Sequence, residues 1–336
     1  MLTIAIPTFN RSKEISALCN NLHAEILKLD TQSVKVVISN NGSTDDTYKV
    51  LNAIGHEFAS LFTIHHQAQN IGYDRNIDFL LRNIHDDFVL FLSDDDGVET
   101  GAILTVLEYL SLEKIADITI FENRFYDSQL LNRLDIREDF FKELEMGTGG
   151  GEVFYPIGTQ IFSTLKSEFF GGISGLCFRT KLAAAVDTKK YFDTNWIHFG
   201  ILNSLLNNSS LRVVCDPLIK YRLDNKSTRW NDIEVHAGIL SIYMLHAKEE
   251  RRGLYFGAIR KYESMFRNSL IGNSRLGICR AVGIFSIIFS AFNFITLGFF
   301  IRNSLIIFAS TLFNSKQLFR LKHFLYRRNG SIKNNS

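Results

Sequence analysis

FVLFLSDDD, residues 88–96, runs five apolar side chains into a serine and three carboxylates. An unbroken apolar run of this length reads as a strand buried on both faces, the pattern of parallel sheets. Working outward, the same grammar repeats. Leu2–Ile6 precedes a helical stretch from about Ser12 to Leu29, and Val34–Ser39 precedes a helix opening near Asp45. Leu61–His65 precedes a helix over Tyr73–Asn83, and Phe88–Leu92 precedes one from about Thr100 to Leu110, before Ile118–Phe121 closes the series. Strands alternating with helices of this length predict an α/β fold, a doubly wound, mostly parallel sheet with helices on both faces. Further along, Gly171–Arg179 reads as a strand, Asn195–Leu206 as a helix and Leu211–Tyr221 as a strand.

In such sheets ligands bind beyond the carboxyl ends of the strands. The polar clusters of this chain fall there. They are Pro7-Thr8-Phe9-Asn10-Arg11, Asn40-Asn41-Gly42-Ser43-Thr44-Asp45-Asp46, Asn70-Ile71-Gly72-Tyr73-Asp74-Arg75-Asn76 and Ser93-Asp94-Asp95-Asp96. Any one of them makes a turn, and four on one rim point to a shared ligand. Three adjacent carboxylates repel one another, and a bound cation is the simplest compensation. Carboxylate oxygens are hard ligands that suit Mg²⁺ or Mn²⁺, often with substrate phosphates completing the shell. The competing reading is a solvated acidic turn beside a helix N-terminus. The run Gly147-Thr148-Gly149-Gly150-Gly151 lacks the Lys-Ser/Thr of a phosphate-binding P-loop and reads as a mobile turn.

Composition sets the outer limits. The 336 residues are 46% apolar and 21% charged, which excludes wholesale disorder. Cys19, Cys177, Cys215 and Cys279 form no CxxC pair, so neither a zinc site nor a disulfide framework is indicated. No basic segment followed by a long apolar run opens the chain, so the N-terminal part is expected to stay in the cytoplasm. The net charge of +2 hides an asymmetry: no Asp or Glu follows Glu263, so the last 73 residues carry +10 and the first 263 carry −8.

These clusters, in this order and spacing, resemble the family 2 glycosyltransferases of GT-A fold. The matching stretches are Ile6–Arg11, Ile38–Asp45, Asn70-Ile71-Gly72 with Arg75-Asn76, and Phe91–Asp96. Weaker matches follow at Gly171–Gly175 and at Tyr221-Arg222 with Asn225 and Ser227. The context looks most like bacterial surface-polysaccharide enzymes of the O-antigen abequosyltransferase type. Such enzymes transfer a sugar from a nucleotide diphosphate to an acceptor hydroxyl, usually with a divalent metal and inversion at the anomeric carbon.

The resemblance implies that Pro7, Thr8, Asn10 and Arg11 line the nucleotide pocket, with Asn70 and Gly72 on the facing loop. Asn40 and Asn41 stand where many relatives carry an acidic pair that reads the base. An amide both donates and accepts, which leaves the base open. Arg75 is implied near the diphosphate or the acidic cluster; a plain exposed helix arginine is the alternative. The D-x-D motif aligns in two ways, either with Ser93 in its first acidic place or as Asp94-Asp95-Asp96 itself. Asp96 is favoured as metal ligand, with Asp94 or Asp95 holding the ribose or the metal's waters. An inverting transfer needs a general base. The Glu-Asp pair of many relatives is absent, leaving Asp193 and His198, either of which also reads as a helix cap or a packed helix residue. Lys226 and Arg229 read either as neutralising the leaving diphosphate, the role electrostatic stabilisation requires, or as a solvated basic loop.

The C-terminal part reads differently. Ala281–Ile301 runs 21 residues without a charge, flanked by Arg280 and Arg302, and Asn303–Phe313 is a second apolar segment leading into a basic tail. Basic flanks at both ends and a polar stripe of Gly283, Ser286, Ser290 and Asn293 favour helices lying in the interface of the cytoplasmic leaflet. Dense Phe residues with few interleaved charges argue against nucleic acid. The expected organisation is a glycosyltransferase domain over 1–262, with a nucleotide-sugar half (1–121) and an acceptor half (122–262), followed by a basic membrane-associating region over 263–336. The expected partners are a nucleotide-diphosphate sugar, a lipid-linked glycan acceptor and the inner face of the cell membrane. Other readings are a sugar-phosphate nucleotidyltransferase and a membrane-bound scaffold that has lost chemistry.

Overall fold

The computed structural model describes residues 1–29, 33–136, 141–142, 151–158, 172–223, 238–243 and 245–246. The chain divides into two compact units, Met1–Asp193 with Ile197–Ser227, and Thr194–Trp196 with Thr228–Ser336. All the strands described below belong to the first unit. The second contributes a described helical stretch at 238–243. The expected membrane-associating region, the loop carrying Lys226 and Arg229, and most of the Gly147–Gly151 run lie outside the described residues. No described helix is long and apolar enough to cross a membrane.

The first unit opens with β1 (Leu2–Thr8), α1 (Ser12–Ile26), β2 (Val34–Asn40), α2 (Thr47–Glu57), β3 (Phe62–His66), α3 (Tyr73–Asn83) and β4 (Phe88–Phe91). Parallel ladders join β1 to β2, β2 to β3, and β1 to β4. Two further strands and a helix follow: β5 (Gly97–Val98), α4 (Ala102–Leu110) and β6 (Ile118–Tyr126). The remainder is β7 (Glu152–Tyr155), β8 (Leu176–Arg179), α5 (Thr180–Ala185), a 3-10 turn at Lys189–Tyr191, α6 (Ile197–Leu206) and β9 (Leu211–Arg222). Among the described residues these form one sheet in the order β3-β2-β1-β4-β8-β6-β9-β5, with β7 on β9. The long ladders, including β6 with β9, are parallel, and the short ones made by β5, β7 and β8 are antiparallel. The fold is therefore α/β with a large, mostly parallel sheet, as the alternation predicts.

Burial explains the strand pattern. Leu2, Ile4 and Ile6 of β1 join Ile15, Leu18 and Leu22 of α1, Leu51 and Ile54 of α2, and Ile103 and Val106 of α4 in one cluster. The crossover through α3 runs from β3 past β1 to β4, in the opposite direction to the two before it. Right-handed crossovers then place α3 on the other face, where it packs on β1 and β2 through buried Ile77, Leu80 and Leu81. Because both faces are covered, β1 is buried along its whole length.

The sequence left β5, β7 and the orientation of β8 unread. A two-residue strand and a four-residue edge strand carry too few side chains for a period to show. The insertion of antiparallel β8 between β4 and β6 pairs Val89 with Phe178 and Thr119 with Cys177, partners too far apart in the chain for any local window.

Candidate active site

The strand order locates the site. From β1 the chain steps to β2 and β3, then returns across β1 to β4, so a crevice opens between the carboxyl ends of β1 and β4. Pro7 helps to open it. The Leu92 amide donates to the Ala5 carbonyl and the Asn41 amide to the Thr8 carbonyl, so Pro7, in phase with Ala5, faces β4. The β4 ladder has already ended at Ala5–Phe91. The missing amide of Pro7 thus costs no ladder bond, and the two strands part beyond it.

The acidic turn follows at once. Asp94 and Asp96 are buried, at 8% and 3% exposure, while Asp95 is only partly so. Burial pushes the Asp94 carboxyl up to about 7 and the neighbouring Asp95 charge adds to it; Thr8 and the Phe9 backbone pull the other way. Asp96 rises to about 8, again through burial and then Asp95, opposed by Ser174 and the Arg222 backbone. The Ser174 hydroxyl donates to Asp96 Oδ2 at 2.5 Å and accepts the Ser93 amide at 2.8 Å. The Arg222 amide donates to Asp96 Oδ1 at 2.9 Å. Ser93 Oγ donates to Asp95 Oδ1 at 2.6 Å, and an Arg11 guanidinium nitrogen lies 3.3 Å from Asp95 Oδ2. Arg11 thus crosses the crevice from the β1 loop to the turn after β4.

Asn10 does not face this crevice alone. Held at φ +55°, it accepts the Thr44 amide through Oδ1 and donates its own amide to Ser43 Oγ. The Arg11 amide donates to Thr47 Oγ1. These bonds stitch the loop after β1 to the loop after β2. The two asparagines expected to read the base are likewise engaged. Asn40 accepts the Ser43 amide and donates to His66 Nδ1 at 3.1 Å. Asn41 donates to Asn70 Oδ1 and accepts the Ile71 amide. Both are nearly fully buried, so they set the shapes of the loops after β2 and β3. Gly42, at φ +66°, lets the loop after β3 pass so close that a Cβ would lie 2.4 Å from the Gln69 carbonyl carbon.

The Asn70–Asn76 stretch is a junction. Asn70 Oδ1 accepts the Gly72 amide, and Gly72 sits at φ +89°. The buried Asp74 carboxylate accepts the Ile197 amide and so caps α6. Asn76 exchanges two bonds with Ser39 on β2. Arg75 grips Asp193 with both guanidinium arms at 2.5 and 3.2 Å and lies over the Phe192 ring.

That grip separates the two candidate bases. Arg75 holds the Asp193 carboxyl below its ordinary value, so Asp193 is ionised, and its side chain is 73% exposed. His198 is 4% exposed, and burial pushes its pKa down to about 3. Its Nδ1 stands 3.5 Å from the hydroxyl of Tyr73, which is part-buried. Of the two candidates, His198 is thus the enclosed, uncharged one and Asp193 the exposed, ionised one.

Among the described residues no three His, Cys, Asp or Glu side chains converge as a ready-made metal cage. The donor set of the acidic turn still fits a hard divalent cation of the kind that takes one or two carboxylates and finds the rest of its shell on phosphate. Crowding of carboxyls is the measure of that fit: Arg11 pairs with Asp95, and burial together with the Asp95 charge disfavours ionisation of Asp94 and Asp96. Asp96 is the most enclosed of the three and Asp95 the most exposed, although both Asp95 oxygens are also engaged, one by the Ser93 hydroxyl and one by Arg11. Ser174 and Arg222 are the residues that sequence reasoning passed over. Both stand in stretches that carry the family resemblance, and only the strand order brings them to the turn. Among the described residues, Cys19, Cys177 and Cys215 are buried and form no disulfide.

The sequence model of glycosyl transferase family 2 matches residues 3–164. Among curated proteins, the chain is 23% identical over 236 residues to abequosyltransferase RfbV of Salmonella typhimurium, covering 68% of each. Over 107 residues, about a third of each chain, it is 27% identical to the Campylobacter jejuni GalNAc(5)-diNAcBac-PP-undecaprenol beta-1,3-glucosyltransferase. Among solved structures, TarS 1–349 of S. aureus in complex with UDP-GlcNAc superposes with a TM-score of 0.63 at 15% identity, covering 98% of this chain and 92% of that one. The mannosyltransferase PcManGT from Pyrobaculum calidifontis, in complex with GDP-Man and Mn²⁺, gives 0.51 at 12% identity, covering 93% and 79%.

Proposed function

For a chain that carries a family 2 glycosyltransferase domain and is a glycosyl-transferring enzyme, we propose transfer of a sugar from a nucleotide diphosphate to a hydroxyl of a lipid-linked bacterial surface glycan. The observation that carries the reading is the acidic turn after β4, facing Arg11 across the crevice between β1 and β4. The two curated relatives, an abequosyltransferase and a glucosyltransferase whose named substrate is undecaprenol-linked, support the acceptor class. The basic, apolar region 263–336 supports a place at the cytoplasmic face of the cell membrane, where such an acceptor resides.

The residues present fit Mn²⁺ or Mg²⁺, with Asp95 in place of Asp96 as the leading ligand and Asp94 beside it; when bound, the cation supplies charge neutralisation for the leaving diphosphate. Asp96 serves as the buried post that fixes the turn to β8 and β9. Arg11 and Arg75 place permanent positive charge on the same rim, toward the diphosphate. Asp193, ionised through Arg75, accepts the acceptor proton as the hydroxyl oxygen bonds to the anomeric carbon and the sugar–phosphate bond breaks with inversion. Lys226 and Arg229 retain their proposed part in balancing the leaving group.

The test is transfer from a panel of nucleotide diphosphate sugars to extracted lipid-linked acceptors, with and without Mn²⁺, read by mass spectrometry. Asp193→Asn is expected to lower kcat by roughly 10²–10⁴-fold with donor KM little changed. Absence of transfer from every donor would sink the reading, and full activity in Asp193→Asn would remove the base.

A further inference from the structure

The acidic turn is poorly held by its own backbone. Its closing bond, from the Asp96 amide to the Ser93 carbonyl, is stretched to 3.4 Å, at the edge of what counts as a hydrogen bond. Other parts of the chain supply what the turn lacks. Ser174 takes one side of Asp96, as described. On the other side the chain arrives through β9, whose last residue is Arg222. Besides its amide bond to Asp96, the Arg222 side chain donates from Nε to the Asp95 carbonyl oxygen at 2.5 Å, and from a terminal nitrogen to the Ser128 carbonyl. One planar fork thus joins the acidic turn to the turn that follows β6. Asp95 is gripped at both ends, its carboxylate by Arg11 and its carbonyl by Arg222.

We infer that Arg222 is a positioning residue for the glycosyl-transfer reaction: its guanidinium fork fixes the backbone of Asp95, and so the direction in which the one accessible carboxylate of the turn points. The shape of arginine suits the position. The fork offers several donors in fixed directions, so one side chain spans two carbonyls. A lysine ammonium on a flexible stem satisfies one carbonyl and leaves the other. The inference rests on the reading of Asp95 as the leading ligand, and its test separates the two.

Arg222→Lys and Arg222→Met are compared with the wild type and with a distant surface control, Lys35→Met. Four quantities are read: kcat, donor KM, Mn²⁺ affinity by electron paramagnetic resonance of the free ion, and amide hydrogen exchange over residues 93–97. Misplacing a reacting group by about an ångström costs on the order of a hundredfold in rate. Both variants are expected to lose about tenfold to a hundredfold in kcat, with donor KM changed far less. Mn²⁺ affinity falls in both, and exchange at 93–97 accelerates. The midpoint of thermal unfolding moves little, because the side chain is only part-buried and the Arg222 amide bond to Asp96 survives. Values of kcat, Mn²⁺ affinity and exchange all matching the wild type would overturn the inference. So would activity lost only in proportion to unfolded protein, which is a structural role alone. If the wild type itself binds no Mn²⁺, the metal reading falls. Arg222 is then judged on exchange and kcat, with acceleration and loss together supporting it and wild-type values of either overturning it.

Discussion

Removing one hydroxyl, in Ser174→Ala, measures how the acidic turn is anchored. Ser174 is completely buried, and its oxygen makes two bonds, one to Asp96 Oδ2 at 2.5 Å and one from the Ser93 amide at 2.8 Å. Deleting the oxygen leaves a buried carboxylate oxygen and a part-buried amide without these partners. Above about pH 8, where Asp96 is ionised, its hydrogen bond contributes about 1.5–3 kcal/mol, and an orphaned buried donor costs about 1–3 kcal/mol. The substitution adds no bulk, so overpacking does not enter. The expected destabilisation is about 2–5 kcal/mol, measured as a shift in the midpoint of urea unfolding followed by far-UV circular dichroism. An unchanged denaturant slope would show that the unfolding reaction itself is the same. Combining Ser174→Ala with Asp96→Asn closes a double-mutant cycle, and the two changes are expected to couple by about 1.5 kcal/mol or more. A loss below about 0.5 kcal/mol, or additive effects, would refute the claim that β8 holds the turn through this serine. The acidic cluster would then be fixed by β9 alone.

Gly42→Ala is expected to destabilise by about 1–3 kcal/mol, since its Cβ has only backbone to meet at 2.4 Å and φ is +66°. A thermal unfolding midpoint equal to the wild type's would refute that close approach. Asp117 accepts the Ser210 amide and hydroxyl and the Arg179 Nε, and its carboxyl lies below the usual value because these bonds outweigh burial. Its contribution is full above the unfolded pKa of about 3.9 and is lost as pH falls through the folded value. The stability gap between wild type and Asp117→Asn should therefore be level above about pH 4 and close below it, as urea unfolding across pH would show. His198 titrates in the same sense over a higher pH range. Its folded pKa, at about 3, lies below the unfolded one. The unfolded chain therefore takes the proton first, and stability drains by up to about 1.4 kcal/mol per pH unit as pH falls below about 6.5. His198→Gln should lack that component, and a His198 ring that titrates near 6.5 by NMR would contradict its burial.

Much of the fold is written locally. The run 88–92, the apolar stretches at 2–6 and 34–39, and the helices between them announce themselves by period and length, and Tyr73–Asn83 begins and ends where the pattern places it. Boundaries drift where chemistry is subtle. α1 stops at Ile26, short of Leu29, and α2 opens at Thr47 after the Asp45 and Asp46 turn. The rim residues were legible as a group, because polar clusters after buried strands have nowhere else to go. Their individual tasks were not. Asn40, Asn41 and Asn70 read as ligand-facing amides, yet they bond to one another's loops. His198 read as one candidate base, and the structure places it buried on α6.

The sequence by itself therefore determined that strands and helices alternate, that their loops are polar at one end and that a carboxylate cluster terminates the fourth strand. Local pattern suffices for these because each depends on neighbours within a turn or two. Only the tertiary structure decided what the cluster touches. Arg11 reaches Asp95 because β4 pairs with β1, Ser174 reaches Asp96 because β8 inserts beside β4, and Arg222 arrives on a strand that pairs with β6 and β5. The Ser174 and Arg222 contacts span 78 and 126 positions. No periodicity encodes a partner at that distance. It is fixed by which hydrophobic faces can be buried together, and the bonds around the acidic turn follow from that packing.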